Sequence, residues 1–295
     1  MSAHLKVLGI YREEKFSNRA VDADKAIMDE VLKTLRSRLG KNVAAIAVHP
    51  EKMAFGALDF NFDLIFSMSQ DEEVLKMLDQ LQSRGAVVVN SAKSIRNCFR
   101  GKLSELLSSS GFLYPRYVPL DVKQDACNVF HSERGYWVKR GDFHALADED
   151  VLHVQTVDKL PSVIDRFKNR GVEQVILQEN CEGELFKFYG VRNAFFNLRY
   201  MGRTTTDRYG FTHGNPDIIF DRKYLEKLAH RAAGVLDLDY FGGDCIVSPI
   251  GEMHFIDFND WPSFRTCAKE VAPAMVTYAL NKINGEAVYD CCINQ

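Results

Sequence analysis

The sequence predicts an α/β domain followed by a larger α+β portion, and three observations carry that reading. Continuous apolar runs alternate with helical spacing up to residue 90, which suits a parallel sheet covered on both faces. From Tyr136 onward, alternating strands arranged as hairpins take over. The length, 295 residues, suits about two domains with sizeable cores.

In chain order, Leu5 to Tyr11 reads as a buried strand. Asp22 to Arg38 carries Ile27, Val31, Leu32 and Leu35 at helical spacing. Strands follow at Val43 to Val48 and Asp63 to Met68, then a helix from Asp71 to Ser83 and a strand at Ala86 to Val89. Arg100 to Ser110 reads as a helix stopped by Gly111. Beyond it, strands are expected at 136–140, 151–156, 175–179, 185–192 and 195–200, with helices at 161–169 and 222–236. A hairpin of 243–248 and 253–258, then a helix over 267–284, complete the chain.

The charge total, 37 basic against 40 acidic residues and a net −3, excludes a general nucleic-acid binder. No stretch approaches the ~18 consecutive apolar residues of a membrane span, and the N-terminus has no signal-peptide pattern. A soluble, cytoplasmic protein is expected. Seven cysteines without a C-x-x-C pair argue for reduced thiols rather than a disulfide framework or a zinc site. A Walker P-loop, G-x-G-x-x-G, H-E-x-x-H and G-x-S-x-G are all missing.

Asp244 to Phe264, DCIVSPIGEMHFIDFNDWPSF, is the most informative segment. In a strand, Phe255, Asp257 and Asn259 share one face. A four-residue turn at 249–252 would set Asp244 opposite Asp257, gathering three oxygen-bearing side chains. Oxygen ligands without His or Cys suit Mg2+, with Mn2+ as the alternative ion. Taken alone, the pattern also fits a solvated strand end with an Asx turn at Asn259.

Asp…Asp-x-Asn followed by an apolar-Pro-Ser stretch resembles the C-terminal metal motif of the ATP-grasp enzymes, with Asp257 where most of that superfamily has Glu. Asn90-Ser91 with Arg100-Gly101-Lys102-Leu103 resembles the leading helix of its amino-acid ligase branch. Trp137-Val138-Lys139 resembles the strand that presents the second nucleotide-binding lysine. Ile176 to Cys181 resembles the adenine hinge, and Glu184 the ribose-holding acid after it.

The resemblance covers about residues 86–284 and implies an N-terminal parallel-sheet pre-ATP-grasp domain (1–95) followed by an ATP-grasp fold (96–295). Its nucleotide lid would span about 115–180 and its metal-binding part about 181–290. It implies ATP and Mg2+ as cofactors, with Asp244, Asp257 and Asn259 on the metal. Lys102 and Lys139 would sit on the phosphates, and Glu179, Asn180 and Cys181 at the base. Leu177 and Phe255 are candidate adenine walls, although both also fit plain core packing. The loop after Lys139 holds one glycine, Gly141, so Arg140 or His144 would supply charge or donors there.

Residues 185–213 carry Lys187, Arg192, Arg199, Arg203 and Arg208 against Asp207 alone, which points to a small anionic substrate. Arg199 or Arg203 is expected to stabilise the transfer. Leu185 to Val191 resembles the matching stretch of the inositol polyphosphate kinases, placing Lys187 near the substrate. The favoured activity is γ-phosphoryl transfer to a carboxylate, free or in a peptide, that an amine then attacks. A kinase acting on a phosphorylated polyol and an inactive nucleotide-binding module are the alternatives. Homo-oligomerisation is left open.

Overall fold

A computed structural model of the chain describes residues 4–17, 20–52, 61–123, 129–203 and 218–286. It holds three four-stranded sheets. The first is parallel, in the order β2-β1-β3-β4, from β1 (Leu5–Ile10), β2 (Val43–Val48), β3 (Leu64–Ser67) and β4 (Val87–Val89). Val7 of β1 joins the core under α1 (Val21–Leu39), whereas Leu8 and Ile10 join the core under α2 (Glu72–Ser83). That two-sided burial is why the strand reads as one apolar run. At Gly9, an added Cβ would lie 3.0 Å from Leu32, so the glycine lets α1 approach closely.

Two elements escaped the sequence reading. A short helix, α3 (Ala92–Asn97), precedes α4 (Arg100–Ser109), and the Ser91 hydroxyl caps it by accepting from the Ser94 amide at 3.1 Å. The strand β5 (Tyr117–Asp121) contains Pro119, which demotes a strand pattern. It is tolerated because β5 is the edge of the second sheet, ordered β5-β8-β6-β7.

That antiparallel lid sheet comprises β5, β6 (Tyr136–Arg140), β7 (Val151–Val154) and β8 (Gln174–Glu179). Between β7 and β8, α5 (Leu160–Asn169) closes one face over Tyr136, Val138, Val175 and Leu177. The other face, bearing Lys139 and Gln178, turns toward the third sheet.

The third sheet is antiparallel, order β10-β9-β11-β12, from β9 (Glu184–Val191), β10 (Phe195–Arg203), β11 (Tyr240–Val247) and β12 (Met253–Asp260). One face packs Phe186, Phe188, Phe255 and Phe258 against α6 (Arg222–Val235) and α4. The last helix, α7 (Ala268–Ile283), returns to α1, and Val271, Met275 and Ala279 share a core with Ile27 and Val31. The first and third sheets are thereby fused. Asn90 strengthens the joint: its side chain accepts from the Asp239 and Tyr240 amides at 2.8 and 2.9 Å and donates to the Tyr240 carbonyl at 2.8 Å.

Candidate active site

The hairpin of β11 and β12 brings Asp244 opposite Asp257, by a route other than the expected one. The turn is five residues, 248–252, closed by the Ser248 amide on the Glu252 carbonyl at 2.8 Å. That length alone would put Asp244 out of step. A β-bulge at Ile256 restores the pairing, so Cys245 faces Phe255 while Asp244 faces Asp257. The bulge also reverses side-chain alternation. Phe255 does not back the carboxylates as the alternation suggested; it is fully buried between Phe188 and Phe258, with ring centroids at 5.6 and 5.2 Å. Gly243 permits the close approach here, since a Cβ would sit 2.4 Å from the Asp257 carbonyl oxygen.

Cations face these carboxylates. Lys187 of β9 pairs with Asp244 at 2.9 Å, and that charge raises the lysine above its ordinary pKa. Arg100 of α4, only 3% exposed, lies 3.9 Å from Asp257 and donates to the Arg140 carbonyl at 3.0 Å. Lys139 is buried and donates to Gln178 Oε1 at 2.5 Å and to the Ile256 carbonyl, freed by the bulge, at 3.1 Å. Burial and Arg100 pull its ammonium down to about 8, against the opposing charges of Asp257 and Asp244.

Lys102 is the clear correction. It stands about 200° around α4 from Arg100, points to solvent and pairs with Glu105 at 3.0 Å. Arg100 is the α4 cation that lies beside the carboxylates. Among the described residues, no three or more His, Cys, Asp and Glu side chains form a metal-binding group. The donor set is two carboxylates and the Asn259 amide, which suits a hard ion that keeps water and phosphate in its shell.

At the hinge, Leu177 is corrected as well. It lies in the core of the lid, on the face opposite Lys139, and Ile176 is the apolar residue on the Lys139 side. The Glu179 carboxylate is held by Arg116 at 2.7 Å, which lowers its pKa. Asn180 accepts from Trp137 Nε1 at 2.9 Å and donates to the Arg134 carbonyl at 3.1 Å. These bonds fix the side chains of the segment, while the Glu179 and Asn180 amides donate to the Arg116 and Gly135 carbonyls at 2.8 and 3.1 Å. Cys181 is half-buried, and burial pushes its thiol up to about 11. Glu184 is buried and accepts from the Tyr200 hydroxyl.

A cavity of about 340 Å³ adjoins Asp244, Asp257, Asn259 and Lys187. Its other wall is made by Arg12, Asp24 and Asp260. Arg12 is buried, pairs with Asp24 at 3.3 Å and donates to the Trp261 carbonyl at 2.7 Å. The position of Arg12 at the carboxyl end of β1 was the available signal. Asp260 is buried and accepts from Gln70 Nε2 at 2.8 Å; burial raises its carboxyl to about 7.

His144, from the loop after Lys139, reaches this wall and bonds the Phe16 carbonyl at 3.2 Å. Burial and the charges of Arg12 and Arg100 hold it neutral, with its pKa lowered to about 3. Beside it, Phe143 wedges between Phe16 and Phe99, centroids at 5.3 and 4.8 Å. Arg199 is exposed and donates to the Thr266 carbonyl at 3.0 Å, away from the cavity lining. Arg203 ends β10, and its side chain lies outside the described residues, as does Arg208.

A parallel-sheet domain, an antiparallel lid bearing a buried lysine, and an antiparallel sheet whose hairpin carries paired carboxylates beneath it together make the ATP-grasp fold, and the chain has it. Among solved structures it is similar to the D-alanine–D-alanine ligase of Bacillus anthracis complexed with ATP. The TM-score is 0.70 at 13% identity, over 96% of this chain and 100% of that one. It is also similar to the VanG D-Ala:D-Ser ligase of Enterococcus faecalis, TM-score 0.66 and 14% identity over 97% and 100%. The D-alanyl-alanine synthetase A of Vibrio cholerae gives 0.67 and 13% over 97% and 100%. No protein-family model and no curated protein sequence matches the chain. No helix among the described residues is long and apolar enough to cross a membrane.

Proposed function

We propose that the chain is an ATP-dependent carboxylate–amine ligase that requires Mg2+ or Mn2+. The observation that carries this reading is the junction of two buried cations, Arg100 and Lys139, with the paired carboxylates Asp244 and Asp257 beside a cavity of about 340 Å³. In that reading, Lys139 and Arg100 hold the phosphates against repulsion, and the backbone around Cys181 receives the base. Asp244, Asp257 and Asn259 would hold the metal, which when bound neutralises phosphate charge. Lys187, tied to Asp244, sets that carboxylate's orientation and faces the transferred group. The acceptor carboxylate occupies the 340 Å³ cavity beside the paired carboxylates.

The test is trapping by hydroxylamine during turnover of ATP with pooled carboxylates. A hydroxamate supports the ligase reading. A stable phosphate ester formed from a polyol replaces it with a kinase, and ATP binding without ADP release leaves a binding module. Asp257→Ala is expected to abolish turnover while preserving the fold, because its side chain serves the site and no core. Wild-type ADP release in that variant overturns the metal assignment.

A further inference from the structure

A single buried carboxylate organises the loop that follows Lys139. Asp150 is fully buried, just ahead of β7, and donors from the loop, from β6 and from the end of α5 converge on it. Its Oδ2 accepts from the Leu146 and Ala147 amides at 2.8 and 3.0 Å and from Arg140 at 3.4 Å, and its Oδ1 accepts from Arg170 at 2.6 Å. Burial by itself would raise this carboxyl. The Leu146 amide and the Arg170 and Arg140 guanidiniums outweigh burial and hold it below the ordinary carboxylate range, so the group is an anion. A local cap of the 3-10 turn Asp148–Asp150 accounts for the Ala147 bond alone.

Two successive amides and two guanidiniums around one anion are the donors of a phosphate concavity, filled here by the chain's own side chain. A loop with one glycine thereby keeps a defined shape. Its start is fixed at Gly141, whose amide donates to the Gln174 carbonyl at 2.8 Å and whose carbonyl accepts from the Gly101 amide at 3.0 Å. Arg140 is committed inside the loop as well, to both oxygens of Asp142 at 2.7 and 2.8 Å. Between its two fixed ends the loop sets His144 and Ala145 on the cavity wall, and the Arg140 carbonyl receives Arg100 at 3.0 Å.

We propose that Asp150 is a positioning residue, an internal anion that sets the 141–149 loop and the end of β6 before nucleotide arrives, so that Arg100 and Lys139 meet the phosphates already in place. This rests on the preceding reading that those two cations hold a triphosphate. Asp150 does not line the cavity, and it acts through its neighbours. Arg140, which it holds, follows Lys139 directly on β6 and anchors Arg100 through its carbonyl, so both phosphate cations lie one contact from the clamp.

The experiment titrates wild type and Asp150→Ala with a non-hydrolysable ATP analogue and Mg2+, with adenosine, and with the analogue again in sodium formate, using sodium chloride of equal ionic strength as the control. Asp150→Ala should weaken the analogue roughly 10- to 100-fold, the worth of the charge-assisted bonds that shape the loop. Adenosine, which has no phosphate to meet the loop, should bind within about twofold of wild type. Formate, a carboxylate small enough for the space that the alanine leaves, should recover roughly tenfold in the variant and nothing in the wild type. Hydrogen exchange at the Leu146 and Ala147 amides should speed up in Asp150→Ala and slow again with formate.

The inference falls, while the nucleotide reading stands, if Asp150→Ala binds the analogue within about twofold of wild type or if formate recovers nothing. Equal loss of analogue and adenosine also overturns it, since the carboxylate would then only prop the lid. If the wild type does not bind the analogue, the nucleotide reading falls and exchange decides: faster exchange that formate reverses supports the internal anion, and unchanged exchange overturns it. Should Asp150→Ala fail to fold, Asp150→Asn takes its place, keeping an acceptor for the amides without the charge for Arg140 and Arg170. It should bind the analogue roughly fivefold more weakly with adenosine unchanged, and parity with wild type overturns the inference.

Discussion

The exchange of roles between Arg100 and Lys102 gives the sharpest test, through the parallel variants Arg100→Met and Lys102→Met. Arg100 has a side chain 4% exposed, a 3.0 Å bond to the Arg140 carbonyl and Asp257 at 3.9 Å. Removing it strands a carbonyl and leaves Asp257 without its neighbouring cation, a cost of about 1.5–3 kcal/mol in stability. If the same guanidinium also meets phosphate, the affinity for a non-hydrolysable ATP analogue with Mg2+ should fall roughly 10- to 200-fold. Lys102, by contrast, is 47% exposed and paired with the more exposed Glu105 one turn on. Such a pair is worth about 0.2–0.5 kcal/mol. Lys102→Met should therefore leave urea unfolding and nucleotide affinity nearly unchanged. The assays are urea denaturation and calorimetric titration. The reasoning is refuted if Lys102→Met weakens nucleotide binding as much as Arg100→Met does, or if Arg100→Met binds within about twofold of wild type.

Two further outcomes are expected. Gly243→Ala places a Cβ 2.4 Å from the Asp257 carbonyl and 2.6 Å from the Phe188 ring, with backbone on one side and a buried core on the other. Equilibrium unfolding should register a loss of about 3 kcal/mol or more. His144 has its pKa lowered from the usual 6.5 to about 3, so the folded state holds it neutral while the unfolded chain takes up a proton below pH 6.5. Its contribution is full above pH 6.5 and declines as pH falls toward 3. The ring is partly exposed, which reduces the full linkage value to about 2 kcal/mol. His144→Gln should flatten this part of the acid-side stability loss, and urea midpoints measured from pH 7 to 4 would show it.

The parallel-sheet half was legible because strands buried on both faces leave uninterrupted apolar runs, as Leu5–Ile10 does. Five residues of β6, Tyr136–Arg140, were readable at their exact bounds. Six-residue α3 and proline-containing β5 were not, since one is too short for periodicity and the other is permitted only by its edge position. In the site, the pairing of Asp244 with Asp257 followed from an expected four-residue turn, and the chain reaches it through a five-residue turn and a bulge instead. Phe255 and Leu177 could not be oriented. For Phe255, a bulge inverts strand parity without any glycine to announce it. For Leu177, both faces of β8 are apolar, with Ile176 and Leu177 equally buried, so the string holds no mark of which side the site is on. Residue type favours Lys102, whereas helix geometry turns Arg100 toward Asp257 and Lys102 toward solvent. The wall of Arg12, Asp24 and Asp260 spans more than two hundred residues of sequence, and beyond the place of Arg12 at the end of β1 no local pattern announces it.

The extra residue at Ile256 divides β12 into two lengths with opposite parity. Before it, Met253 and Phe255 point into the aromatic core; after it, Phe258 takes over that duty while Asp257 and Asn259 turn outward. A regular strand of the same composition would have to choose between a filled interior and a polar face at this place. The bulge lets one strand serve both. It also hands the spare carbonyl to Lys139 across the gap, so the strand and the lid are joined at the residue where the alternation breaks. The irregularity thus works as a splice between the scaffold and the chemistry, and it sets where one ends and the other begins.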